Sequence, residues 1–162
     1  MNEEIKIREA EPTDAALIVT FIKELAAYEK LAHEVIVCEK DLLKYLFGNK
    51  SCAEVVLAEI NNQPVGFALF FHNFSTFVGK PGIYLEDLYI RPDFRGKNIG
   101  KQMLTYLARL AKERDCGRLE WSVLDWNQPA IDFYKKAGAI PMDEWTVFRV
   151  FGSALNKLAN IE

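Results

Sequence analysis

Residues 4–9, EIKIRE, alternate apolar and charged positions, the period-two pattern of a short half-buried strand. EPTD then breaks the pattern and offers Thr13 or Asp14 as a helix cap; Leu17, Ile18, Phe21, Ile22 and Leu25 follow at helical spacing. The spacing predicts an amphipathic helix over 14–28, and EKDLLKYLF predicts a shorter one over 39–47 that ends near Gly48. Two apolar runs, 53–60 and 64–71, flank the polar NNQ and read as a hairpin. Residues 72–82 carry two glycines and a proline and are expected to form a loop. IYLEDLYI makes a third strand over 83–90, closed by Arg91-Pro92 because proline cannot donate to a ladder. Beyond it Met103, Leu104, Leu107, Leu110 and Ala111 share one face of a long helix. RLEWSVLDW predicts a strand over 118–126. NQPAIDFYKKAG is a compact helix with Asn127 as cap, Pro129 in the first turn and Gly138 just past the end. EWTVFRVF predicts a last strand over 144–151, with a short C-terminal helix after it. No repeat, low-complexity tract or linker divides the chain, so the pattern is that of a single α/β domain, residues 1–162, with a mixed sheet.

A chain of 162 residues fits one domain with one core and needs no staples, because a domain of this size buries about 70% of its unfolded surface. Twenty basic residues against 23 acidic ones give a net charge of −3, which argues against a broad nucleic-acid footprint. The three cysteines, Cys38, Cys52 and Cys116, are odd in number and widely spaced, so they read as reduced core thiols; no C-x-x-C suggests zinc. His33 and His72 are too few and too far apart to imply a metal site. The N-terminal MNEEIKIREA is acidic where a signal peptide would be basic, and no apolar stretch approaches the roughly 20 residues of a membrane span. A cytoplasmic protein with no membrane partner is the expectation.

The chemistry concentrates in RPDFRGKNIGKQML, residues 91–104, where glycines and basic residues stand at the mouth of the long helix. A helix N-terminus exposes unpaired amides and carries about half a positive charge, so it suits phosphate. Gly96 and Gly100 let the backbone approach an anion closely, and Arg95, Lys97 and Lys101 add charge. A Walker loop needs four residues between its glycines and then Gly-Lys-Ser/Thr; here three residues separate Gly96 from Gly100, and Gln102 replaces the hydroxyl. A dinucleotide fingerprint after the first strand is absent too. From loop composition alone, a solvated basic turn is as good a reading as an anion site.

LEDLYIRPDFRGKNIGKQML followed by WNQPAIDFYKKAG resembles the GNAT acyltransferase superfamily. IKELAAYEK, EKDLL, YLEDL, RGKNIG, DWNQPAIDFYKKAGA and a late Glu-Trp are similar, in order and over essentially the whole chain, to its spermidine/spermine (diamine) acetyltransferase branch. The resemblance implies an α/β (α+β) fold with a mixed, mostly antiparallel central sheet of six to seven strands flanked by helices. It implies acetyl-CoA as co-substrate, no metal, a homodimer, and a small cationic amine as acceptor, polyamines first and lysine-like or thialysine-like diamines second. Leu88, Tyr89 and Ile90 would offer backbone groups to pantetheine; Arg95, Gly96, Lys97, Asn98, Ile99, Gly100 and Lys101 would cradle the pyrophosphate; Asn127 would touch the cofactor. Asn98 stands where the family usually has glycine, and asparagine is the residue after glycine that best tolerates a left-handed backbone.

On the same basis Glu86 matches the substrate-facing acid and Tyr134 the proton donor to the leaving thiolate. Strand alternation places Glu86 and Asp87 on opposite faces. Tyr28 and Glu29, Asp87, the trio Glu120, Trp121 and Ser122, and the later Glu144 match substrate contacts of the diamine branch. No cysteine has a neighbouring base in sequence, so direct attack by the amine is the simpler expectation. Two rival functions stand beside this one: transfer to a protein or peptide amine, and a module that binds acetyl-CoA without turnover.

Overall fold

The computed structural model describes residues 4–160. By backbone contacts the chain falls into two compact units, one ending at Trp126 and the other beginning at Asn127. The first carries β1 (Ile5–Glu9), α1 (Ala15–Tyr28), α2 (Glu39–Tyr45), β2 (Glu54–Ile60), β3 (Gln63–Ser75), β4 (Lys80–Ile90), α3 (Ile99–Glu113) and β5 (Leu119–Trp121). The second carries α4 (Gln128–Lys136) and α5 (Gly152–Leu158).

The sheet runs β1-β2-β3-β4-β5, with the first four strands antiparallel and β5 parallel to β4. The parallel pair needs a long crossover, which α3 provides. Asn61 and Asn62 both take positive φ, 51° and 60°, the backbone that a two-residue hairpin turn requires between β2 and β3. Six consecutive residues of β2, Val55–Ile60, are buried, so both sheet faces are covered. On one face Phe21 of α1 stacks on Phe67 at 5.6 Å and meets Tyr89 at 6.2 Å, within a cluster that includes Ile18, Val55 and Leu57. The apolar stripe of α3, Ile99, Met103, Leu104, Leu107 and Ala111, is buried as its spacing predicts.

Several sequence expectations change. The loop expected over 72–82 is strand: β3 and β4 extend to Ser75 and from Lys80, and only Thr76–Gly79 turn. The mixed sheet of the expected class is present with five strands among the described residues instead of six to seven. Residues 144–151 are irregular, because an alternating sequence becomes a strand only when a ladder partner takes up its amides, and none does here. The strand expected over 118–126 keeps only Leu119–Trp121, for a reason that lies in β4. The cysteines are free as expected, yet only Cys116 is buried; Cys38 and Cys52 are exposed.

Candidate active site

β3 and β4 slip register between Leu69 and Phe70: Leu69 faces Asp87, whereas Phe70 faces Leu85. Glu86 is therefore the extra residue of a β-bulge. A bulge bends its strand and breaks the alternation of side chains, so Glu86 and Asp87 are not simply divided between two faces as the sequence predicts. The half-buried Asp87 carboxyl is pushed up to about 7, first by burial and then by the charges of Glu86 and Glu29. Glu29, just past the end of α1, is itself raised by burial. Two further carboxylates, one on β4 and one just past α1, thus act on Asp87 at the bulge.

The same bend ends the β4–β5 ladder, which pairs Ile83, Tyr84 and Leu85 with Leu119, Glu120 and Trp121 and goes no further. Beyond it, Leu88, Tyr89 and Ile90 pair on one side with Ala68, Phe67 and Gly66 of β3, while the β5 side of this stretch has no strand. One backbone group there is taken: Ile90 O accepts from Arg95 Nε at 2.9 Å. The gap where the ladder ends leaves the β5-side backbone edge of β4 beyond Leu85 without a strand partner among the described residues, an edge that suits an extended, amide-bearing ligand.

The chain leaves β4 through a tight turn, Pro92–Phe94, and reaches Gly96 at φ 76°, where an added Cβ would meet nothing within 4 Å. Asn98 takes φ 63° and ψ 9°, the left-handed state expected of it, and precedes α3 without a side-chain cap. The first amides of α3, at Ile99, Gly100 and Lys101, have no helical partner by construction. Ile99 is anchored in the core, so it offers only its backbone. An open glycine, a left-handed asparagine and an uncapped 15-residue helix fit an anion such as pyrophosphate. Lys97 lies over Phe94, 5.4 Å from the ring centre, and Lys101 is exposed.

Arg95 points elsewhere than a simple phosphate ligand would. Besides its bond to Ile90 O, its guanidinium lies 4.5 Å from the ring centre of Tyr28 and 5.7 Å from that of Tyr89. Tyr28 in turn meets Trp126 at 6.1 Å, and Lys30 Nζ lies 5.4 Å from the Trp126 ring centre. Trp126 and Lys30 escaped the sequence reading; the only available signals were their positions beside Asn127 and Glu29. Arg91, read only as a strand terminator, reaches Glu24 of α1 at 2.9 Å and lies over Phe21 at 4.8 Å.

On β5 the expected substrate acid Glu120 is already engaged: Arg118 lies 2.7 Å away, and Asn73 Nδ2 donates to it at 2.9 Å. Ser122 shares a 2.7 Å hydrogen bond with the Tyr84 hydroxyl. Trp121 faces Leu85 across the ladder. The structure thus brings together Tyr28, Glu29, Glu86, Asp87 and Arg95 and gives Glu120 a different task. Asn127, Tyr134 and Glu144 belong to the second unit. Asn127 caps α4, its Oδ1 accepting from Ala130 N at 3.4 Å, as the motif predicts. Tyr134 lies on α4 beside Phe133, with ring centres 5.4 Å apart, and Glu144 lies in the irregular stretch before α5. Among the described residues no group of three metal-ligating side chains could hold an ion.

The model of the Acetyltransferase (GNAT) family matches residues 21–139. The chain is 38% identical to a thialysine N-epsilon-acetyltransferase of Bos taurus over 96% of its own length and 97% of that protein's. It is 34% identical, over 89% of its length, to the human spermidine/spermine N(1)-acetyltransferase-like protein 1, of which it spans 22%. A crystal structure of a predicted acetyltransferase with acetyl-CoA, from Clostridium acetobutylicum, superposes with a TM-score of 0.73 at 28% identity, covering 90% of this chain and 96% of that one.

Proposed function

The chain belongs to the GNAT acetyltransferase family, and on that premise we propose that it transfers acetyl from acetyl-CoA to a primary amine of a small cation with two or more amines. The observation that carries this reading is the meeting of Glu29, Glu86 and Asp87 at the β4 bulge, where the β5 ladder ends. Acetyl-CoA supplies an acetyl group already activated as a thioester. The loop Arg95–Lys101 and the first amides of α3 would hold its pyrophosphate, the β4 edge at Leu88–Ile90 its pantetheine arm, and Asn127 a further part.

The acceptor poses a proton problem. An amine with pKa near 10.4 is neutral in only about one molecule in a few thousand at pH 7, which adds roughly 4–5 kcal/mol to the barrier unless the site removes the proton. Carboxylates that first hold the ammonium and then take its proton meet both needs. Glu86, the exposed member at the bulge, is the contact, and its charge helps to raise the neighbouring Asp87 carboxyl, which burial raises most. Tyr134 donates toward the departing thiolate. A phenol of pKa about 10 facing a thiol of about 8.5 makes full transfer uphill by about 2 kcal/mol, so Tyr134 assists a leaving group that can depart unaided. The Cys38 thiol is engaged with Asp41 in the cap of α2, and the thiols of Cys52 and Cys116 reach only backbone carbonyls among the described residues, which favours direct attack by the amine.

The acceptor's length follows from which acids remain. With Glu120 held by Arg118 and Asn73, the carboxylates cluster at one place, which suits a short diamine better than a long polycation. The thialysine relative, matched over nearly its whole length, supports the same order, so thialysine-like diamines come before spermidine and spermine. We place the protein in the cytoplasm as a homodimer, the whole chain serving as one catalytic domain. The test is thiol release from acetyl-CoA with thialysine, lysine, putrescine, spermidine, spermine and a basic peptide. Saturable turnover of a small diamine is expected, reduced at least tenfold by Glu86→Gln and substantially, short of abolition, by Tyr134→Phe. Turnover of the peptide alone would move the activity to protein amines, and acetyl-CoA binding without any turnover would make the protein a sensor.

A further inference from the structure

We propose that Arg95 is a positioning residue that couples filling of the glycine loop to the acceptor end of α1. The proposal rests on the reading of the loop as the CoA site and of Glu29 as part of the amine site. Arg95 opens the loop, immediately before Gly96, yet its Nε donates to Ile90 O at 2.9 Å and its guanidinium lies over Tyr28 at 4.5 Å. One side chain therefore touches the loop, the end of β4 and the last residue of α1, whose next residue is the acid Glu29.

A purely structural tie between β4 and α1 is already present. Arg91 reaches Glu24 through both Nε and Nη2 and covers Phe21 from a half-buried position. Arg95 repeats that link one turn of chain later, from an exposed position and on an aromatic residue that is itself 39% exposed. An exposed cation has several rotamers to lose, and an anion in the loop removes that freedom by bonding the four donors on its Nη nitrogens. With the guanidinium fixed, Tyr28 loses freedom too, and the amine meets an end of α1 whose ordering is already complete. Coupling of this kind is reciprocal: the amine must tighten CoA by the same factor as CoA tightens the amine.

Trp126 supplies a readout that needs no amine, because its ring meets Tyr28 at 6.1 Å. CoA is titrated against the intact protein while tryptophan emission is followed, and Trp126→Phe identifies the part of the signal that belongs to Trp126. Wild type should respond. Arg95→Lys keeps the charge and loses the planar fork; at saturating CoA it should show little of the Trp126 response. In wild type, CoA should tighten thialysine binding about fivefold or more, against less than twofold in Arg95→Lys. A Trp126 response of wild-type size in CoA-saturated Arg95→Lys overturns the proposal. Where that variant folds poorly or takes no CoA, Tyr28→Leu decides: whatever amine affinity it retains, CoA should tighten its thialysine binding less than twofold. Tightening by CoA of wild-type size in Tyr28→Leu overturns the coupling. Absence of turnover with every amine, beside an Arg95-dependent Trp126 response, removes the amine reading and leaves the link from loop to α1 standing.

Discussion

At the scale of single residues, Asp87 has the most consequences for pH. Its carboxyl is raised from an ordinary value near 4 to about 7 by burial, with Glu86 and Glu29 adding to the effect. The folded state therefore binds this proton more tightly than the unfolded chain does. Stability from this group is fully present below about pH 4 and is lost as pH rises to about 7, by at most about 4 kcal/mol. Asp87→Asn should flatten that window: the variant should match wild type near pH 4.5 and melt higher at pH 8, read from thermal unfolding at the two values. Activity should move the opposite way. In the proposed mechanism the carboxylate form accepts the amine's proton, so kcat/KM should rise with pH along a limb centred near 7, and Asp87→Asn should displace that limb. A limb unchanged in Asp87→Asn would assign it to another group. Asn98 makes the second residue-scale case. At φ 63° it occupies a left-handed backbone that glycine adopts without strain, so Asn98→Gly should keep CoA affinity within about threefold. Asn98→Val, β-branched in a left-handed position, should lose stability by about 1–3 kcal/mol. Chemical denaturation and CoA titration of the two variants separate these effects.

At the scale of elements, the site depends on how closely β3 approaches the end of β4. A Cβ on Gly66 would come within 2.5 Å of Tyr89 O and of Ile90 Cδ1. Since backbone cannot yield as a side-chain tip can, Gly66→Ala must displace the strand end that lies beside the gap. The expected cost is about 1–3 kcal/mol, together with weaker CoA binding; loss of stability with CoA affinity intact would show that the β4 edge is not part of the cofactor site. Amphipathic spacing made α1, α3 and the β2–β3 hairpin legible from the sequence, because burial of one stripe or face is what selects those periods. The bulge at Glu86 was not legible, since the adjacent acids of LEDL interrupt the alternation without saying which residue is extra, and that is set only by register with β3. The shortened β5 follows from it: once β4 bends away, SVLDW has no strand to pair with. Glu120 and Arg95 have partners that a motif does not name. Motif position places a charge near a site, whereas Asn73, which donates to Glu120, and Tyr28, which lies under Arg95, come from elements distant in sequence and join the nearer Arg118 and Ile90 O.

At the scale of the whole molecule, the sheet itself argues for a second copy. Past Phe70, β3 has outrun its partner β2, so Phe71–Ser75 pair only with β4, whereas on the far side of that ribbon Pro81 O still accepts from Gly117 N. A ribbon with an unpaired strand edge offers a template for another chain. This one also carries an apolar tip: Phe74, Phe77 and Val78 are 62%, 96% and 57% exposed. Scattered exposed apolar residues need no explanation, but three at the tip of a ribbon with an open edge form the kind of surface that association covers. In a closed dimer the same patch must serve both partners, so a change at the tip counts twice. Phe77→Ser combined with Val78→Ser should therefore shift sedimentation from dimer to monomer at low micromolar concentration, while the isolated subunit keeps its sheet. Wild type that sediments as a monomer throughout the accessible range would refute the dimer. A double variant that remains dimeric would move the interface to another face.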